Sequence, residues 1–243
     1  MRYTHNLALV RRRQHSLAIS LTITAVLIVL IIFLGFTTLD ASQFFFGFFL
    51  SFSRVLAAYG FAMVIAMALL LLATSSPAIE SIAVPILDAL QSFPSFALFP
   101  LLIVWFGKSS LDVIIVLVIE MVWPILFSLL TAKKQLREDT LEAASIYQAK
   151  GWRFFRYVFL PLLFPSLVTG SIVAWGEAWE TVIGAEIIVK VMGVGSYLSQ
   201  SGERGQTQIL LIGIVLLLAI LFILNKYIFL PLLNLSTKYQ QET

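Results

Sequence analysis

Four glutamates stand inside or at the edge of stretches apolar enough to cross a membrane: Glu120, Glu177, Glu180 and Glu186. An ionised side chain in hydrocarbon is costly, so such groups mark a solute path, a proton relay or a structural ion pair. Glu120 falls about seven residues into its stretch, roughly 10 Å deep at 1.5 Å per residue. Glu177 and Glu180 are three apart and therefore share one face of a helix. Glu186 is expected near the surface, and Arg54, at the start of another apolar run, is a candidate partner for one of these carboxylates. Gln91, Ser92, Pro94, Glu120, Glu177 and Glu180 are the expected lining of a translocation path. A structural ion pair or an interhelical hydrogen bond accounts for the charges equally well.

Other chemistries lack their residues. There is no cysteine, which excludes disulfides and thiolate metal sites. Both histidines lie in the basic N-terminal tail, so a buried histidine metal site is not expected, and no Ser-His-Asp set is available. Gly107-Lys108-Ser109 imitates the end of a phosphate-binding loop, but Leu102 holds the first-glycine position. The chain is not expected to be an enzyme or to bind a cofactor. If ATP drives it, another subunit binds the ATP.

The elements that must position these residues are membrane spans. Of 243 residues, 60% are hydrophobic and 12% charged, a composition that places most of the chain in lipid. A spanning helix needs about 20 apolar residues. Six runs qualify: Leu17–Phe36, Phe48–Ala73, Ile86–Phe106, Val113–Ala132, Leu162–Ile188 and Ile209–Phe229. The short alternating segments of a barrel are missing. The expectation is an all-α, polytopic membrane protein of about six transmembrane helices. Residues 1–16 form an N-terminal tail, 17–230 the membrane domain and 231–243 a C-terminal tail. The basic stretch before the first run is not read as a cleaved signal, because the run is long and no small-x-small site follows.

Lys and Arg set the orientation. The N-terminal tail, the loop after the fourth run and the C-terminal end carry four, six and two of them, twelve in all; the opposite face carries Lys108, Lys190 and Arg204. The richer face, with both termini, is expected in the cytoplasm, and the excess of positive charge follows from it without any nucleic-acid partner. Pro85, Pro94 and Pro100 crowd the third run, which suggests a broken helix beside a path as readily as a packing kink. Lys190–Gln208, with four glycines, reads as an external turn-rich loop with one short helix.

Residues 133–160 form the one sizeable polar segment within the apolar body. Asp139 can cap a helix whose Glu142, three residues on, reaches back to it. Ala143 and Ala144 allow close approach of a partner, and Gly151 is placed to stop the helix in a left-handed turn. Trp152, Phe155 and Phe159 then fall on one stripe of a second short helix, before Pro161 opens the fifth span. The alternative is a helix lying in lipid headgroups.

Glu142-Ala143-Ala144, with Val158 and Leu160-Pro161 downstream, resembles the coupling motif of ABC importer permeases, although Gln148 stands where that motif has glycine. Leu90–Gly107 and Gly151–Trp179 look like the nitrate, sulfonate, taurine and bicarbonate group of that family. Met192–Gly195 resembles the turn these permeases have between their last two spans. The resemblance covers roughly Arg54 to Leu224. It implies a type I ABC importer permease fold in the bacterial inner membrane. It also implies two ATPase subunits docked on Asp139, Glu142, Ala143, Ala144, Gln148, Gly151, Trp152, Leu160 and Pro161. An extracytoplasmic solute-binding protein and a second permease copy or homologue would complete the assembly. The solute would be a small anion. The rival from the residues alone is an ion-coupled secondary transporter that uses the intramembrane glutamates.

Overall fold

A computed structural model describes residues 40–134 and 151–241, all organised by helices. The first expected span and the docking residues Asp139, Glu142, Ala143, Ala144 and Gln148 lie outside the described residues. Helix α1, Ala41–Ala73, starts seven residues earlier than its apolar run, because Asp40 caps it by accepting the Gln43 N–H. Its buried side chains include Ala58, Ala62, Ala66, Leu70 and Ala73, a stripe at helical spacing. Small residues on that stripe let α4, Ser110–Lys134, pack closely against it.

The third run is not one straight span. Helix α2, Pro77–Gln91, is capped by Ser76 through the Ile79 N–H at 3.2 Å. Residues 92–94 break it, and α3, Ser95–Phe106, leaves at an angle of 78° after a 3₁₀ turn. The three prolines act differently. Pro85 is carried inside α2, Pro94 stands before the 3₁₀ turn, and Pro100 occupies the first turn of the α-helical part, where no intrahelical donor is lost. Of the two readings left open, a broken helix or a packing kink, the structure has a break, at residues 92–94.

Gly151 to Val189 is a single helix, α5, of 39 residues. The expected boundary at Pro161 is absent. Proline has no N–H and crowds the carbonyl four residues back; here the helix widens into a π turn over Phe155–Phe159, in which the Leu160 N–H reaches Phe155 O. The last helix, α7, repeats the device: Thr207–Leu224, a π turn over Asn225–Phe229, then Leu230–Gln241. The two turns occupy related sequence, Arg156-Tyr-Val-Phe-Leu-Pro-Leu-Leu163 and Lys226-Tyr-Ile-Phe-Leu-Pro-Leu-Leu233. In each copy the Tyr is exposed and the Phe buried. The short helix expected in the glycine-rich loop is α6, Val194–Glu203.

Helices α1, α4, α5 and α7 are each long and apolar enough to span a bilayer, and the bent pair α2–α3 is a fifth candidate. Helix α4 packs on both α1 and α5, and is the centre of the described bundle. Gly170 of α5 meets it where a Cβ would lie 2.8 Å from both Pro124 O and the Ser128 side chain. Ser128 Oγ donates to Ser166 O nearby at 2.6 Å. Between α1 and α5, Trp179 stacks on Phe48 with centroids 5.3 Å apart, and Tyr59 donates to Ser171 at 2.8 Å. The helix ends sort into two sets. One, here the basic end, holds Lys133, Lys134, Arg153, Arg156 and Lys226; there Lys133 pairs with Glu80, tying α4 to α2. The other holds the starts of α1 and α4, the end of α5, and α6.

Candidate functional site

The densest polar cluster lies at that second end. Glu186, on the last turn of α5, is fully buried, and Arg54 of α1 is 7% exposed. Arg54 Nη1 donates to Glu186 Oε1 at 2.5 Å, while its Nε and Nη2 reach Ser110 Oγ at the start of α4, at 3.2 and 3.0 Å. Ser51 Oγ donates to Glu186 Oε1 at 2.7 Å and accepts the Val194 N–H at 2.9 Å. Glu186 Oε2 accepts the Gly195 N–H at 2.9 Å. The first amides of α6, which have no partner within their own helix, are thus taken up by side chains of the spans.

Two glycines make this geometry possible. A Cβ on Gly193 would overlap the Glu186 carboxyl group, and one on Gly195 would press into Ile183 O. Gly193 is extended, so close approach is what it supplies. Beside the cluster, Phe44 packs edge-on to Tyr197, whose phenol is held above its ordinary pKa by burial and, after that, by Asp40.

Arg54 was therefore expected to meet a glutamate, and Glu186 is the one it meets. The partners Ser51, Gly193 and Gly195 were not singled out as a set. Their one signal in the sequence is a Gly-x-Gly turn that begins seven residues after a glutamate at a span's end.

The expected path residues occupy a different place. Glu177 and Glu180 are exposed on α5, and Glu120 is half-buried on α4. Glu177 lies within electrostatic reach of both others, so the three carboxylates form one face. Glu180 also borders an apolar cleft of about 560 Å³ shared with α6 and α7. Gln91, Ser92 and Pro94 are exposed at the break between α2 and α3. Gln91 donates to Asp88 at 2.6 Å. Phe96, just past the break, touches Gly184, one turn beyond Glu180. The break and the acidic face thus lie along the same stretch of α5. No cluster of metal-ligating side chains occurs among the described residues.

Of the expected docking residues, Gly151, Trp152, Leu160 and Pro161 are described. Gly151 has φ +56°, the left-handed conformation expected of it. Trp152 is 70% exposed and stacks on Phe155, which in turn contacts Phe159, so the aromatic stripe survives the π turn. Leu160 and Pro161 border a cleft of about 380 Å³ with Phe164 and Leu235 of α7.

The described residues are thus a bundle of four helices long and apolar enough to span a bilayer, with one bent helix pair beside an acidic face. Residues 70–230 match the family described as binding-protein-dependent transport system inner membrane component, and the chain belongs to that family. Among individual proteins, it is similar to the taurine transport system permease protein TauC of Escherichia coli, 29% identical over 150 residues, 62% of this chain and 54% of that protein. It is also similar to the bicarbonate transport system permease protein CmpB of Synechocystis, 24% identical over 177 residues, 72% and 63% of the two chains. A third likeness is to the riboflavin transport system permease protein RibX of Chloroflexus aurantiacus, 29% identical over 156 residues, 64% and 58%. The chain thus matches between half and two-thirds of the length of these relatives.

Proposed function

We propose that this chain is the permease subunit of an ATP-driven importer. It forms half of a translocation path, with a second copy or a homologue as the other half. Two ATPase subunits dock on residues 133–160, and an extracytoplasmic binding protein delivers solute at the opposite end. The basic end faces the cytoplasm. The observation that carries this reading is the family match, which spans the broken helix, the docking segment and the acidic face together. ATPase closure acts at Gly151 and Trp152, and α5 carries it as one rigid rod to Glu177, Glu180 and Glu186.

The solute is a small molecule with an anionic group, as the names of the taurine and bicarbonate relatives suggest, and the face of Glu120, Glu177 and Glu180 favours one that also carries an ammonium group. A taurine-like aminosulfonate combines both charges; nitrate and bicarbonate offer the carboxylates only repulsion.

The test is co-purification after mild detergent extraction, followed by reconstitution of the whole assembly in proteoliposomes. An ATPase and a binding protein should be retained, and uptake of labelled taurine should require ATP and exceed that of nitrate or bicarbonate at least tenfold. Ala144→Arg should abolish ATPase retention. Glu120→Gln should leave part of the ATP-driven uptake. Uptake driven by a proton gradient without ATP, and lost in Glu120→Gln, would replace this reading with an ion-coupled carrier.

A further inference from the structure

We propose that Arg54, Ser51 and Glu186 are the latch of the outer gate: they hold α6 against the spans while the outer end is closed, and part into water when it opens. This rests on the importer reading, which makes that end the outer one.

The cluster joins four segments that are remote in sequence: α1 through Ser51 and Arg54, α4 through Ser110, α5 through Glu186, and α6 through the Val194 and Gly195 amides. Helix α6 also rests on Leu198, which lies against Gly213 of α7. Its other end turns away through Gly205, at φ +67°. Its N-terminus is held by these polar bonds together with buried Val194 and the close approach of Gly193 and Gly195 to the spans.

The choice of charged residues is informative. A buried ion pair gains little over well-packed apolar side chains, because desolvation offsets most of the attraction. It differs from them in what happens when water arrives. Apolar surfaces lose their contacts and gain nothing, whereas a carboxylate and a guanidinium recover their hydration. Such a cluster sits near balance between a dry, paired state and a wet, parted one, which is what a gate that opens once per cycle requires.

The route for the water is present. A cleft of about 320 Å³ opens at this end, lined by Lys190, Met192, Ser196, Ser199 and Gln200, with Glu186 beneath its floor and no surface of Glu186 exposed. When α6 lifts, this cleft reaches the carboxylate, and Lys190 on its rim offers a substitute cation.

The chain has no cysteine, so a single introduced thiol reports the latch. Val194 is fully buried and its amide is held by Ser51. Val194→Cys should react with a membrane-impermeant maleimide slowly in the resting complex. It should react at least tenfold faster after trapping with ATP and vanadate. Gln200→Cys, exposed in α6, gives the ceiling rate. In the Arg54→Gln/Glu186→Gln background, which keeps hydrogen-bonding groups and removes both charges, the pair gains little from water on parting, so labelling should stay slow in both states and binding-protein-stimulated ATP turnover should fall. Equal labelling of Val194→Cys in the two states would overturn the latch, as would a double variant that labels and turns over like the unmodified pair. If the double variant fails to assemble, the two-state comparison decides alone; if Val194→Cys does, Ser196→Cys replaces it. ATP-driven uptake in the same vesicles shows separately whether the importer reading stands.

Discussion

Two ion pairs of equal length differ in what they do for the molecule. Arg54–Glu186 and Lys133–Glu80 are both 2.5 Å pairs, yet the first has side chains 8% and 0% exposed and the second 25% and 24%. Half-hydrated pairs contribute at most about 1 kcal/mol, whereas removing one member of a buried pair strands the other charge at about 3–5 kcal/mol. Lys133→Met should therefore shift the unfolding midpoint in detergent little, and still less at high salt. Arg54→Gln alone should cost much more, and Arg54→Gln/Glu186→Gln should recover most of it. A thermal-shift series on the four variants measures this; equal losses for Lys133→Met and Arg54→Gln would show that burial does not separate the pairs. The shared face of Glu177 and Glu180 was legible in the sequence because helical periodicity is local. The Arg54–Glu186 pairing spans 132 residues, and Arg54 had several carboxylates to choose among until the packing of α1 on α5 settled it.

The helices show where local chemistry speaks and where context overrules it. Crowded prolines left the third run open between a break and a packing kink, and glycines announced the turns around α6. Prolines also suggested a boundary at Pro161 that does not exist, because a π turn lets the helix pass. The π turn buries Phe159, and α7 packs against the helix that follows; neither contact is written in the residues around Pro161. A π turn is one residue in excess of an α register, which gives the element a sharp test. Deleting Tyr157, 72% exposed, should restore an α register and rotate Gly151 and Trp152 by about 100° relative to the span. The membrane body should keep its thermal midpoint, while ATPase retention falls at least tenfold. Retention unchanged by the deletion would show that the angle at which the docking segment meets α5 is immaterial.

For the whole molecule, the proposed orientation rests on charge, since Lys and Arg gather on one side irrespective of how helices pack. Arg153 and Gln200, both exposed, lie at opposite ends. In intact cells an impermeant thiol reagent should label Gln200→Cys and spare Arg153→Cys; the reverse pattern would invert the proposed topology. Ser201, though in the same loop region, would be a poor reporter, because it is buried and donates to Tyr197 O. The proposed assembly partners rest on resemblance alone, for no spacing within one chain encodes a second chain.

The same two ion pairs also act as depth marks. Arg54–Glu186 is held level with Ser110, the first residue of α4, and Glu80 pairs with Lys133 near its last. The intervening length of α4 is about 35 Å at 1.5 Å per residue, slightly more than the ~30 Å hydrocarbon layer. Measured from the upper mark, Glu120 on α4 and Glu177 on α5 lie at nearly the same level, about 15 and 14 Å down. In a bilayer centred between the two marks, both would lie close to the midplane. A lipid of the wrong chain length would drag one mark or the other into apolar surroundings. The thickness of the surrounding membrane thus becomes a variable of this transporter, set against a scale built from four charged side chains.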